Sequence, residues 1–358
     1  MRVCIFGNSL SGLTLAKALV NQKIYVDQIN QNKLYKADKT RTIGISRSNV
    51  EFFNKKIINI NKILWKLKKI EIYSDSLKNE KLLNFEKNNE YLFSIVKNYK
   101  LIGILEKNLS KNKYFRKIKL KKKFPSFDNY SLVINTDYKN SITKKYFNKK
   151  IEKKYNSLAY TTILEHENII NNTAIQIFTK FGPLAFLPIS NNETSIVYSV
   201  NKTSLKKKIN INDLIYKYNF KYKIKKIQKI NNVDLKSIIL RSYYHNNILA
   251  FGDLTHKIHP LAGQGFNMTL RDIITLTKLI EKKLHLGLPL DKSINKKFEE
   301  ITKHKNYIYA SGVDLIYEFF NIERKFKNKI LSKTVKILGA NFEINKILTK
   351  FADRGIFT

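Results

Sequence analysis

Apolar residues open this chain as a short run of strand length, Arg2-Val3-Cys4-Ile5-Phe6, followed by a turn-forming stretch from Gly7 to Gly12. Leu13 to Val20 then carries apolar residues at helical spacing, and Ile24-Tyr25-Val26 begins a second strand-like run. The spacing predicts a β-turn-α-β unit. Tyr130 to Asp137 is a further apolar strand ending in an acid. In mid-chain the runs Ala174 to Phe178, Phe181 to Ile189 and Thr194 to Val200 are separated by polar, Asn-rich turns, the pattern of a mainly antiparallel sheet. Asn247 to Phe251 is again strand-like, and Leu270 to Leu284 has helical periodicity. After a turn signal at Leu286 to Leu290, Ser293 to Phe326 reads as a long amphipathic helix broken near Ser311-Gly312, and Ile330 to Phe351 as another.

Length and composition fit an enzyme of two interleaved domains. The chain has 358 residues, of which 43% are apolar, enough to fill two cores. No run approaches the ~18 uninterrupted apolar residues of a transmembrane helix. The apolar start reads as the first strand rather than a signal peptide. The lone cysteine, Cys4, lies in that strand and reads as core, which fits a reducing cytoplasm. Sixty-seven Lys and Arg against 28 Asp and Glu give a formal charge of +39. Lysine is spread through turns and strand edges alike, which points to biased genome composition more than to a binding face. No nucleic-acid module accompanies the charge, so nucleic acid is not an expected partner. His256 and His259 stand three apart without further ligands at metal-binding spacing, so no metal is expected.

The most informative segment runs from Gly252 to Asn267: Gly-Asp-Leu-Thr-His-Lys-Ile-His-Pro-Leu-Ala-Gly-Gln-Gly-Phe-Asn. It lies between a strand and a helix. Its glycines let backbone N–H groups approach a bound group where the positive end of a helix dipole favours electron-rich oxygens. Asp253, at the strand end, can accept hydrogen bonds from sugar-type hydroxyls. The segment resembles the second FAD-contacting motif of the aromatic-ring flavin monooxygenases, the para-hydroxybenzoate hydroxylase-like family. His259 to Asn267 is similar to the narrower form found in the ubiquinone-biosynthesis polyprenyl-phenol hydroxylases. The resemblance implies that Gly252 and Asp253 meet the ribityl side of FAD. It also implies that Pro260 to Gly265, with Gly263 and Gln264 among them, lie against the isoalloxazine ring, that the helix begun near Gly265 aims its N-terminus at the flavin's pyrimidine edge, and that Phe266 and Asn267 are further cofactor-binding residues.

The opening turn resembles the Rossmann fingerprint G-x-G-x-x-G, with Gly7 and Gly12 in place and Ser9 where the middle glycine stands. A side chain there narrows the approach to a pyrophosphate, although Ser can donate a hydrogen bond. Gly7, Ser9, Leu10, Ser11 and Gly12 are thus candidate cofactor residues. Asn30 stands where an acid would hold the adenosine ribose, and it lacks a carboxylate's charge. By the same resemblance Arg41 lies near the FAD phosphates and ribityl chain, and Asp137 contacts the cofactor, with Tyr138 in the position of a family glycine. The strand Gly182 to Pro188 is similar to one that roofs the flavin; it also reads as an ordinary buried strand. Val313 to Phe320 resembles a cavity-lining helical segment, and core packing explains it equally.

The resemblance implies an α/β fold in which a Rossmann-like FAD-binding domain (parallel sheet with helices) is interleaved with an antiparallel-sheet substrate domain and followed by a helical C-terminus. The expected division is 1–75, 99–155 and 241–290 for FAD binding, with an excursion over 76–98. Residues 156–240 form the substrate domain and 291–358 the C-terminal helices. The implied reaction is hydroxylation of a lipophilic polyprenyl phenol. FAD is reduced by transient NADPH or NADH, and dioxygen reacts through a flavin hydroperoxide. Catalytic candidates are His259 and Pro260. The resemblance leaves room for peripheral contact with the inner face of a membrane and for membership of a quinone-synthesis complex. Two other readings stay open: a flavin reductase or dehydrogenase of an isoprenoid lipid, and a non-catalytic component of such a complex.

Overall fold

The parallel core starts where the sequence places it. In a computed structural model, which describes residues 1–30, 38–75, 80–86, 90–120, 127–205, 210–326, 333–337 and 341, strand β1 (Arg2–Phe6) pairs in parallel with β2 (Tyr25–Asn30) on one side and β9 (Leu132–Asn135) on the other. β8 (Phe115–Lys119) extends the sheet beyond β2, and β17 (Ile248–Ala250) extends it beyond β9, with the short β16 (Tyr244–His245) at that edge. Val3, Cys4 and Ile5 are fully buried, as are Leu132, Val133 and Ile134, because a parallel sheet is covered on both faces. Helix α1 (Leu10–Asn21) packs against α3 (Asn98–Ser110) and against α7 (Gly265–His285). The short α4 (Ser141–Tyr146) follows β9 and is capped by Asn140, whose side chain accepts from the Thr143 N–H.

The larger sheet has nine strands. Its order is β18 (His256–Lys257), β15 (Asn231–Leu240), β10 (Lys150–His166), β13 (Glu193–Asn201), β12 (Gly182–Pro188), β11 (Thr173–Thr179), β5 (Lys69–Ser74) and β6 (Glu80–Glu86), with β14 (Ile224–Ile227) paired to β10. Every pairing is antiparallel except β11 with β5. The chain enters this sheet at Lys69 and again at Lys150. Helix α6 (Ile211–Tyr218) buries Ile211, Leu214, Ile215 and Tyr218 against Leu184, Phe186, Ile196 and Tyr198; the single turn α5 (Lys202–Leu205) precedes it. Leu184 and Phe186 of β12 therefore face α6. The alternation of a strand leaves Pro183, Ala185 and Leu187 for the opposite face.

A third sheet joins the two. β3 (Thr42–Ser46), β7 (Phe93–Lys97) and β4 (Trp65–Leu67) are antiparallel, and α2 (Arg47–Phe52) leaves the end of β3.

Helix α8 (Lys292–Phe326) runs 35 residues without the break expected at Ser311-Gly312. One helical glycine costs about 1 kcal/mol, and burial of Tyr309, Ala310, Val313 and Tyr317 around it outweighs that. Of the run expected from Ile330 to Phe351, residues 333–337 are helical and the others lie outside the described residues, apart from Asn341. Among the described residues no helix is long and apolar enough to cross a membrane. Cys4 is buried, and burial together with Asp27 pushes its thiol far up, as befits a core residue.

Candidate cofactor and active site

The two glycine-bearing turns meet. Gly252 follows β17 at φ +66°, and a β-carbon placed on it would lie 2.6 Å from the β-carbon of Ser11 in the first turn of α1. The contact is braced from β9. The Thr136 hydroxyl donates to the Phe6 carbonyl at 2.8 Å, and the Phe251 N–H donates to the Asn135 carbonyl at 2.9 Å.

Ser9 changes meaning in the structure. Its hydroxyl caps α1, accepting from the Gly12 N–H at 3.2 Å, and donates to Thr136 Oγ1 at 3.3 Å. The side chain is thereby drawn back against the protein. The N–H groups of Leu10 and Ser11, first-turn donors that a helix leaves unpaired, remain for a ligand. Asn30 closes β2, at the position expected for the ribose-binding acid. Asp137 flanks the Gly7 turn, its β-carbon 3.3 Å from where a Gly7 β-carbon would be, and its Oδ1 accepts from the Lys139 N–H at 2.8 Å. Tyr138 is 62% exposed, so its ring lies in solvent instead of crowding that turn.

The second motif spans the junction between sheets. Its first residues follow β17 of the parallel sheet, whereas His256 and Lys257 form β18 and pair with Ile239 and Ile238 of the larger sheet. Gly265 then begins α7, and the preceding Gln264 offers no side-chain cap. Its Oε1 instead accepts from the Tyr309 hydroxyl at 2.7 Å. A β-carbon on Gly265 would meet nothing within 4 Å. An uncapped N-terminus of a 21-residue helix thus faces open space beside Pro260 and Gly263.

Asn267 is a positioning residue. Its side chain is fully buried and hydrogen-bonded to protein. Oδ1 accepts from the Ser46 N–H and from Asn49 Nδ2, each at 2.9 Å, while Nδ2 donates to the carbonyls of Gly44 (3.1 Å) and Gly263 (3.3 Å). One amide therefore locks β3, α2 and the Pro260–Gly263 turn onto α7.

His256 and Asp272 had no assigned role, and the structure supplies one. His256 Nε2 lies 2.7 Å from Asp272 Oδ2 with both side chains buried, and Asn306 of α8 donates to the same carboxylate at 3.1 and 3.3 Å. Their sequence separation carries no periodic signal, which is why pattern alone missed them. Nearby, the Arg271 guanidinium sits 4.6 Å from the centroid of the Tyr309 ring.

Around the rim the charges are mixed. Asp253 is exposed, and among the described residues its carboxylate has no hydrogen-bond donor. Lys257 is drawn below the ordinary lysine range by burial; Asp253 opposes that shift, and Lys236 and Arg41 reinforce it. Arg41, Lys257 and Asp253 therefore share one neighbourhood. A hydroxyl-rich, phosphate-bearing ligand fits this set: an open carboxylate, cations beside it, free helix-start amides, and space before Gly265.

His259 is not built as a base. Its Nδ1 accepts from the Leu261 N–H at 3.2 Å, so Nε2 carries the proton. Burial, with Lys153 adding to it, pushes the imidazole down to about 3, which leaves it neutral. Tyr155 and Tyr317 close around the ring, with centroids 4.9 and 4.5 Å away. Pro260 brings no titratable group; its carbonyl accepts from the Gly263 N–H at 3.2 Å.

Comparisons with known proteins agree with this geometry. Residues 199–285 match the family described as FAD binding domain. The chain superposes on the crystal structure of PqsL, a probable FAD-dependent monooxygenase from Pseudomonas aeruginosa. The TM-score is 0.75 over 94% of this chain and 99% of that one, at 13% identity. It superposes on Klebsiella pneumoniae HpxO, complexed with FAD and uric acid, with a TM-score of 0.76 over 99% and 97% of the two chains, at 12% identity. This is the FAD-dependent monooxygenase fold. Its curated relatives include the ubiquinone biosynthesis monooxygenase COQ6 of Dictyostelium discoideum, 24% identical over 186 residues covering 41% of this chain and 38% of that one. Another is the 3-demethoxyubiquinol 3-hydroxylase of Escherichia coli, 26% identical over 181 residues covering 43% and 41%. The matches span about two fifths of those relatives' length. Within the flavin-monooxygenase fold, the turns at Gly7 to Gly12 and at Gly252 to Asn267 stand against each other, as the motif reading required.

Proposed function

We propose that this chain is an FAD-dependent monooxygenase that hydroxylates the ring of a lipophilic phenol of the ubiquinone-precursor class, with NADH or NADPH as reductant. The contact of Gly252 with Ser11 carries the reading, because it joins two half-sites into one cradle for a dinucleotide. The names of the curated relatives support the substrate class.

FAD bound in this cradle supplies acceptance of hydride and activation of dioxygen, chemistry that no protein side chain provides. The chain's part is to bind, orient and exclude water. Leu10 and Ser11 amides meet the pyrophosphate, and Arg41 adds charge at the phosphates. Asn30 would hold the adenosine ribose, Asp137 would contact the cofactor beside the Gly7 turn, and Asp253 would accept from ribityl hydroxyls. The start of α7 stabilises negative charge at the ring's pyrimidine edge. Ile258, Leu261, Met268, Tyr309 and Val313, packed against Phe178 and Ile239, form a dry wall behind the loop. Such a wall keeps water from the reacting groups.

A lipophilic substrate and a charge of +39 support peripheral contact with an anionic membrane face, each lysine near the surface adding about 1 kcal/mol. Vesicle binding that ignores salt would rule out that electrostatic attachment. Membership of a quinone-synthesis complex is compatible with the same reading.

Incubation with a short-chain prenyl phenol, NADPH and isotopically labelled dioxygen tests the reaction. Label in the ring hydroxyl is expected. Turnover that proceeds without dioxygen would replace this reading by a dehydrogenase.

A further inference from the structure

Among the described residues, several buried polar atoms in and beside the flavin loop lack a hydrogen-bond partner: His256 Nδ1, Thr269 Oγ1, both terminal nitrogens of Arg271, and His259 Nε2, the one that two tyrosine rings enclose. His259 is 1% exposed, and among the described residues its Nε2 has no hydrogen-bond partner. Nδ1 accepts from the Leu261 N–H, so the orphan nitrogen bears the hydrogen and is a donor in need of an acceptor. Burying such a donor unpaired costs on the order of 1–3 kcal/mol. Native interiors rarely carry that cost without a use for it.

The donor is also held in place. Tyr155 stands perpendicular to the imidazole, and Tyr317 lies at 31° to it. Both hydroxyls are engaged elsewhere. Tyr155 donates to the Asp314 carboxylate of α8, and Tyr317 shares a hydrogen bond of 3.2 Å with Ser157, whose own hydroxyl donates to the Tyr155 carbonyl at 3.1 Å. Lys153 lies outside this cage, 2.9 Å from Glu318 and 3.9 Å from Asp314. Three parts of the chain, β10, α8 and the loop before Pro260, thus fix one imidazole beside Ile258 and Leu261.

We propose that His259 is a substrate anchor, its Nε2–H donating to the ring oxygen of the bound phenol, while Tyr155, Tyr317 and Asp314 position the imidazole. The inference rests on the function proposed above and adds the group that recognises the substrate's oxygen. No proton changes hands. The imidazole is neutral across the working range, so recognition of the oxygen is flat from about pH 5 to about pH 8.

The test compares two ligands on the FAD-loaded protein: a short-chain prenyl phenol, and the same ring with its hydroxyl replaced by hydrogen. Binding is read from the change in flavin absorbance. Wild type is expected to hold the phenol ~10- to 100-fold more tightly than the deoxy ring. His259→Phe brings that ratio close to one and leaves deoxy binding unchanged; His259→Gln, which keeps a donor, restores part of it. Tyr155→Phe and Asp314→Asn, which keep His259 but loosen the cage that positions its imidazole, lower the ratio several-fold and serve if His259→Phe does not fold. A ratio unchanged in the variants, or lost through weaker deoxy binding, overturns the anchor. Wild type that loads FAD and binds both rings equally refutes the anchor alone; wild type that binds neither refutes the proposed substrate class as well.

Discussion

Ser11 and Gly252, 241 positions apart in the chain, touch so closely that a β-carbon on Gly252 would fall 2.6 Å from that of Ser11. The backbone there also has φ +66°, which side-chain-bearing residues adopt at a cost. Gly252→Ala is therefore expected to destabilise the apoprotein by about 2–4 kcal/mol, strain and overpacking combined. Urea unfolding measures it. Gly103→Ala is the control: a β-carbon in that exposed turn of α3 meets nothing within 4 Å. Replacing a helical glycine should stabilise by about 0.5–1 kcal/mol. Equal effects at the two positions would refute the close contact.

Two variants should separate binding from folding. Asp253→Ala removes an exposed carboxylate that has no donor among the described residues, and Gly265→Ala adds a methyl where the protein leaves open space. Asp253→Ala should leave the apoprotein melting point unchanged, and Gly265→Ala, at the first residue of α7, should not lower it. Fluorescence titration with FAD should show Kd raised ~10-fold or more, the worth of a charged hydrogen bond in the first case. Unaltered FAD affinity in both would remove the cradle from this face.

Asp272 holds the loop by its pair with His256. Asp272→Ala leaves a buried imidazole and the Asn306 amide without their acceptor, and should cost about 3–5 kcal/mol. Glu300→Ala breaks only a surface pair with Lys297, worth under about 1 kcal/mol. Chemical denaturation of both variants distinguishes the buried tie from the exposed one.

His259 also sets a pH dependence. Its folded value is about 3 against the ordinary 6.5, so between those values the unfolded chain binds the extra proton. The contribution is complete above about pH 6.5 and is lost as pH falls toward 3. In His259→Phe, stability measured from pH 7 to pH 4 should decline less steeply than in wild type. Parallel curves would show that the imidazole titrates freely.

Much of this site was legible from order and spacing. Gly7 to Gly12 and Gly252 to Asn267 announce themselves because turns and helix starts are local, and the β-turn-α unit lies where the apolar pattern puts it. What pattern could not give is partnership across the chain. Ser9 looked like an obstruction until its hydroxyl proved to cap α1. Asn267 stood out as a motif residue, but nothing local showed that its amide ties Gly44, Ser46 and Asn49 to α7. The cage around His259 brings Tyr155 of β10 and the α8 pair Asp314 and Tyr317 to a loop over 50 positions from either, and although Val313 to Phe320 stood out as a helical segment, no local pattern ties it to Tyr155 or His259. Gly312 misled in the opposite direction, because packing along α8 overrides the local cost of one glycine.

The most direct measurement is the visible spectrum of the purified protein after FAD addition and desalting, recorded without oxygen before and after NADH or NADPH. The cradle formed by Ser11, Gly252, Asp253 and Gly265 predicts a yellow protein with a protein-bound flavin spectrum that bleaches on addition of the reduced nicotinamide. A protein that stays colourless after saturating FAD, with its fold intact by circular dichroism, would contradict the account.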